Sequence, residues 1–185
     1  VVDEIRNYGG DELAVKVDCS DDGEVGLLGI HPWMHRTIEA LILNHGTYDR
    51  VPAQEMEMKH LRHTMKANFE GAVNVWKVVQ PHLAPQASMV VVSSQLATRG
   101  SPHGADYAAS KAALSTWARS LALAVGPEGK RVTVLAPGYV DTAILAGDSD
   151  EQRNQRIQEL PFKRIGTGVD LASIVSFFLS NDAAY

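Results

Sequence analysis

The sequence predicts an α/β fold built on a doubly wound parallel sheet, and three observations carry that prediction. Short apolar runs of strand length alternate along the 185 residues with longer segments of helical period. The runs Ala40-Leu-Ile-Leu43 and Met89-Val-Val-Val92 are apolar without alternation, the pattern of strands covered on both faces. Turn-forming or small polar residues follow them at once: Asn44-His-Gly46, Ser93-Ser94, and Pro137-Gly138 after Val132-Thr-Val-Leu135.

In chain order, Leu13-Ala-Val-Lys-Val17 reads as a short strand closed by Asp18. Residues 23 to 39 read as an imperfect helix, weakened by glycines and Pro32, that leads into strand 40–43. Residues 56 to 83 carry a long helical pattern, with Leu61, Met65, Phe69, Val73, Trp76 and Val79 spaced at threes and fours, and Pro81 and Pro85 mark its end. Strand 89–93 comes next, then a loop bearing Gly100, Pro102 and Gly104, then helix 107–125 with Leu114, Trp117, Leu121 and Val125 on one face. Strand 132–135 follows. Residues 143 to 160 are polar and helix-prone, and 170 to 179 form a last amphipathic helix. No repeat, linker or low-complexity tract divides residues 1–185, which read as one domain.

Composition excludes several functions. With 45% hydrophobic and 21% charged residues the chain can bury a sizeable core, and a net charge of -5 leaves no basic footprint for nucleic acid. Cys19 is the only cysteine, so no intrachain disulfide can form. No apolar run reaches the roughly 18 residues of a membrane span. A cytoplasmic protein without nucleic-acid or membrane partners is the expectation.

The chemistry concentrates in Tyr107-Ala-Ala-Ser-Lys111 and in Ser94, thirteen residues upstream of the tyrosine. Residues four apart share a helix face, so the Lys111 ammonium would lie beside the Tyr107 phenol and favour its ionised form. Ser94 would stand at the end of a parallel strand, where open α/β sheets place ligands. A Tyr-x-x-x-Lys pair alone is common by chance. Its weight here comes from its neighbours: the paired serines before it, the Gly/Pro-punctuated loop, and the strand ending at Pro137-Gly138 after it.

Those motifs, in that order, resemble the short-chain dehydrogenase/reductase family, in register over residues 13 to 185. The resemblance implies a Rossmann-like sheet and a catalytic set of Ser94, Tyr107 and Lys111, with Asn68 of Met65-Lys-Ala-Asn-Phe-Glu-Gly71 as the fourth member. It implies that NAD or NADP is bound by Asp18 at the adenine, by Asn44 and Gly46 of the turn after the strand, and by Tyr107 and Lys111. Pro137, Gly138, Val140 and Thr142 would frame the nicotinamide. The implied activity is interconversion of a small-molecule alcohol and a carbonyl by hydride transfer. Tyr107 would exchange the substrate proton, Ser94 would bond the substrate oxygen, Lys111 would tune the phenol and hold the ribose, and Asn68 would hold a relay water. Gln95 to Asp106 and Tyr139 to Leu160 would select the substrate. The family also implies a homodimer or homotetramer built through the helices that carry Trp76 and Trp117.

Departures from the family pattern bear on these expectations. Leu43 and His45 replace the first Asn and the Ala of the family's Asn-Asn-Ala-Gly turn. The family's opening strand, Gly-x-x-x-Gly-x-Gly loop and second strand have no counterpart in these residues. Gly23-x-x-Gly26-x-x-Gly29 has the wrong spacing, and Gly166-Thr-Gly168 lacks a third glycine. The family's last strand is missing as well. The expectation is a partial Rossmann-type domain, a fragment in which segment 13–17 has no sheet neighbour and the pyrophosphate has no glycine-rich cradle. A catalytically silent scaffold that keeps the two interface helices is the alternative. His31 with His35, and His60 with His63, have a helical spacing that suits a metal but lack further ligands, and so read as surface histidines. His45 and His103 adjoin the expected pocket.

Overall fold

The computed structural model describes residues 2–184; Val1 and Tyr185, the ends of the 1–185 domain, lie outside the described residues. Among these residues the sheet has three parallel strands in the order β1 (Ile38–Leu43), β2 (Leu83–Val92), β3 (Arg131–Leu135). Helices α1 (Val2–Asn7) and α2 (Asp22–Gly29) precede the sheet. From β1 the chain returns to β2 through α3 (Met58–Met65), a π-turn over Lys66–Glu70, and α4 (Gly71–Val79). From β2 it reaches β3 through α5 (Leu96–Arg99) and the long α6 (Ala105–Val125), and α7 (Asp150–Glu159) and α8 (Gly168–Leu179) follow. Both crossovers step the same way along the sheet, so α4 and α6 fall together on one face, and α8 covers the other.

Strand periodicity sorts the side chains onto those faces. Leu43, Met89 and Val91 point into one core with Trp76 of α4 and Leu114, Ala118 and Leu121 of α6, and Val132, Val134 and Trp117 pack against it. Both tryptophans thus pack within the fold. On the other face the Ser88 hydroxyl donates to the Phe178 carbonyl of α8 at 2.9 Å. Arg131, paired with Ser88 across the ladder, donates to the carbonyls of Phe178 and Ser180. These bonds satisfy the acceptors that the end of a helix leaves open.

Leu114 is 1% exposed at the centre of the α4–α6 core. Leu114→Ala is expected to cost about 2–5 kcal/mol of unfolding free energy, read from the denaturant midpoint at unchanged slope.

Several elements differ from the sequence expectations. Residues 13–17 form no strand: the segment is mostly exposed and without a ladder partner, since an apolar alternation becomes a strand only beside a neighbour that takes its backbone bonds. The helix read over 23–39 ends at Gly29. Pro32 opens a separate 3-10 turn instead, capped by the His31 ring, whose Nδ1 accepts from the Trp33 backbone N–H at 3.3 Å. β2 begins at Leu83 rather than 89, and Pro85 is accommodated opposite the register break between Ile38 and Ala40. Within 143–160 only α7 is α-helical, started by a Ser149–Gln152 capping box.

Candidate active site

The carboxyl ends of the three strands open into one cavity of about 860 Å³. β1 delivers Asn44, His45 and Gly46 to it, β2 delivers Ser94, and the segment after β3 delivers Pro137, Gly138, Val140 and Thr142. From α6 come Tyr107 and Lys111, one helical turn apart. Sites far apart in sequence meet because parallel strands all end on the same edge of the sheet.

Each central side chain is held by specific contacts. The Tyr107 ring is 8% exposed and packs at 4.7 Å between centroids on Tyr48. Tyr48 is fixed by its hydroxyl, which donates to the His103 carbonyl, and its ring occupies the space that a Cβ at position 104 would need. Gly104, at φ +128°, is therefore a glycine for two reasons. Lys111 is 4% exposed, and its Nζ donates to the Val92 carbonyl at 2.9 Å and lies 5.9 Å from the Tyr107 ring centroid. Its backbone carbonyl lies 3.0 Å from the Ser93 hydroxyl and 2.7 Å from the Ser115 hydroxyl, which fixes that turn of α6 to the end of β2.

Asn68 is 0% exposed, in the π-turn that separates α3 from α4. Its Nδ2 donates to the Thr47 carbonyl at 2.9 Å and to Ser110 Oγ at 3.0 Å, and its Oδ1 accepts from the Thr47 N–H at 2.7 Å. Both amide hydrogens are thus committed to holding the β1 turn against α6. A Cβ at Gly46 would fall 3.0 Å from Asn68 Oδ1 and 3.4 Å from Lys111 Nζ, so the bare Cα lets the turn lie directly over the two side chains.

Burial dominates the electrostatics. It pushes the Tyr107 phenol above its ordinary value of 10.0; the nearby Ser94 hydroxyl pulls it partly back, and Tyr48 pushes it up again. Burial likewise lowers the Lys111 ammonium to about 8. The sequence expectation of a lowered Tyr107 value is therefore corrected: burial is the largest cause acting on the phenol, and it raises the value. His45 is lowered too, first by burial and then by Lys111, and its Nε2 is buried with no hydrogen-bond partner among the described residues.

Two predicted site residues do not line the cavity, and the first is Asp18. It is exposed, its Oδ1 accepts from the Ser20 N–H at 2.8 Å, and that bond holds its carboxyl below the usual range. Asn68 stands behind the wall and does not line it. His103 lines the cavity, as does His45. The other histidines have local roles: His31 caps a turn, and His60 completes a capping box with Glu57 at the start of α3.

Sequence reasoning missed Tyr48, Arg50 and the Asp148–Arg156 pair. The Asp148 side chain is 0% exposed and is gripped by Arg156, at 2.7 Å from Nε to Oδ2, and by Arg50. Arg156, and then Arg50, hold its carboxyl below the usual range. This latch joins the segment after β1 to α7, elements with no sequence relation that spacing could reveal.

A family model described as "Enoyl-(Acyl carrier protein) reductase" matches residues 1–185. The chain belongs to the short-chain dehydrogenase/reductase family. Among members of this family, a 3-oxoacyl-[acyl-carrier-protein] reductase of Chlamydia muridarum is 30% identical over 151 residues, covering 80% of this chain and 61% of that one. An uncharacterized oxidoreductase of Methylorubrum extorquens is 29% identical over 191 residues, covering 100% and 76%. The chain thus spans between 61% and 76% of the length of these two relatives. Two solved structures superpose closely. A putative NAD(P) dependent gluconate 5-dehydrogenase from Beutenbergia cavernae with bound NADP at low occupancy has a TM-score of 0.91 at 29% identity, covering 100% of this chain and 76% of that one. A short chain dehydrogenase from Burkholderia cenocepacia in complex with NADP has a TM-score of 0.90 at 25% identity, covering 99% and 75%. The Rossmann-like α/β fold expected from the sequence is that of this short-chain dehydrogenase/reductase family. Among the described residues no helix is long and apolar enough to cross a membrane.

Proposed function

We propose that these residues carry the substrate and proton-transfer half of an NAD- or NADP-dependent oxidoreductase that interconverts an alcohol and a carbonyl. The observation that carries the reading is the convergence of Ser94, Tyr107 and Lys111 on one wall of a single cavity, with Asn68 bonded behind them. Two solved relatives at 25% and 29% identity hold NADP. The nicotinamide and its ribose fit the residues present: Gly46 leaves its Cα bare beside Lys111, and Pro137, Gly138, Val140 and Thr142 line the same cavity. The pyrophosphate finds no glycine-rich loop in this sequence.

When bound, the nicotinamide supplies or takes the hydride. The Tyr107 hydroxyl gives the proton to the carbonyl oxygen in reduction and takes it back in oxidation. Ser94 donates a hydrogen bond to the same oxygen and stabilises the charge that develops there. Lys111 bonds the ribose and exchanges protons with Tyr107. Asn68 acts as a positioning residue, holding Thr47 and the turn above Lys111. Asp18 would meet the adenine from outside the cavity, and assembly as a homodimer or homotetramer through helices 58–79 and 105–125 is proposed with the activity.

The test is nicotinamide absorbance with the full-length protein and a panel of ketones, aldehydes and secondary alcohols. Turnover is expected, and Ser94→Ala should lower kcat by about a hundredfold. A folded full-length protein inert toward the whole panel, or a Ser94→Ala variant as fast as the parent, would refute the reading.

A further inference from the structure

We infer that the outer wall of the cavity selects a substrate bearing an anionic group, a carboxylate or a phosphate monoester, at the end away from the reacting oxygen. The inference rests on the oxidoreductase reading of this site and deepens it by assigning the substrate's charge. The chain carries a net charge of -5, yet the Lys and Arg side chains lining the cavity are Arg50, Arg99, Lys111 and Arg156, against Glu159 as the one lining carboxylate among the described residues. Lys111 belongs to the proton-transfer group. The three arginines have no role in the chemistry proposed above.

Their arrangement is built rather than loose. Arg50 and Arg156 converge on the solvent-free carboxylate of Asp148, and Arg50 also donates to the Ile144 carbonyl at 2.8 Å. Two guanidiniums on one carboxylate leave an uncompensated positive charge, held rigidly. Arg156 is further fixed over the Tyr139 ring at 4.8 Å, and Arg99 donates to the Tyr139 hydroxyl at 3.3 Å. Arg99 has no carboxylate partner among the described residues. The Tyr139 hydroxyl in turn donates to Glu159 at 3.4 Å, so three cations share this wall with two carboxylates, one of them fully buried.

The wall is continuous with the proton-transfer group: the Tyr48 ring packs on Tyr107, and the Arg50 guanidinium sits 5.9 Å from the Tyr48 ring centroid. Arg99 and Arg156 lie in the two segments, 95–106 and 139–160, expected from the sequence to select the substrate, and both line the cavity. A neutral substrate filling this space would dehydrate guanidiniums without pairing them, which is unfavourable. An anionic oxygen cluster meets their fork geometry with charge-assisted bonds. A latch with a purely structural task needs one arginine for Asp148, and the second arginine and Arg99 exceed it.

The experiment compares matched pairs in the full-length protein. Oxo acids of roughly four to eight carbons are set against their methyl esters, and dihydroxyacetone phosphate against dihydroxyacetone, by kcat/KM and by isothermal titration. The anionic member of at least one pair should be favoured by about tenfold, equivalent to about 1.4 kcal/mol, with the preference shrinking as salt rises. Whichever pair shows it identifies carboxylate or phosphate as the source. Arg99→Gln should bring that ratio close to one, and Lys16→Gln, an exposed cation that does not line the cavity, should leave it intact. Turnover with equal or better use of the neutral member in every pair overturns the inference while upholding the oxidoreductase reading. Tight, Arg99-dependent binding of the anion without turnover upholds the inference and sinks that reading. An unchanged ratio in Arg99→Gln overturns the assignment of the wall.

Discussion

Tyr107→Phe in the full-length protein is expected to lower kcat by about a thousandfold or more in both directions, while cofactor affinity stays within about threefold. The substitution removes the one oxygen proposed to exchange a proton with substrate and keeps the ring. That ring makes the 4.7 Å packing contact with Tyr48 and fills a position 8% exposed, so the fold and the Tyr48–Arg50 side of the cavity should be unaffected. Initial rates at saturating cofactor, a fluorescence titration of NADPH and a thermal melt separate these effects. Retention of a tenth of the parent turnover would show that Tyr107 is not the proton-transfer group, and an equal loss of cofactor binding would assign it a role in binding instead.

The second large effect is on pH dependence. Tyr107 and Lys111 share one dehydrated pocket one helical turn apart, and under the proposed proton exchange the first proton to leave comes from the more acidic of the two. Burial puts that loss near 8 through the ammonium, while the phenol by itself lies above 10.0. Below about pH 8 the pair holds both protons and can protonate a carbonyl oxygen. Above it the pair has lost one and can accept a proton from an alcohol. Oxidation should accordingly rise, and reduction fall, as pH increases through about 8. In Lys111→Met the stem still fills the site but the titrating ammonium is gone, leaving only the buried phenol, whose ionisation lies above 10.0. The rise in oxidation should then move up from about 8 to beyond 10.0, measured with the variant saturated in cofactor. An unaltered profile in Lys111→Met would place the titrating group elsewhere.

This pH behaviour could not have been derived from spacing. The i, i+4 relation between Tyr107 and Lys111 correctly put the two on one face of α6, and Coulomb attraction between them suggested a lowered phenol. How much water each group loses depends on Val92, Tyr48 and the closing walls, which come from other strands and loops, and desolvation reverses the sign for the phenol. Asn68 shows the same division. The family resemblance marked it as a candidate site residue, while its commitment to Thr47 and Ser110 needed the π-turn and the packed turn above it.

What the sequence determined by itself was local or periodic: the parallel α/β class, strands near 40–43, 89–93 and 132–135, the long helix around 107–125, and the turns that follow the strands at Asn44, Ser94 and Pro137. These are legible because apolar period and turn chemistry act over a few neighbouring residues. Segment 13–17 marks the limit, since its strand-like pattern has no partner for its backbone bonds. Only the tertiary structure decided that Arg50, Asp148 and Arg156 close one wall, that Tyr48 backs Tyr107, and that burial governs the ionisation of the site. Those contacts join residues up to 98 positions apart, and their energies depend on distance and excluded water, which no pattern within one stretch of chain encodes.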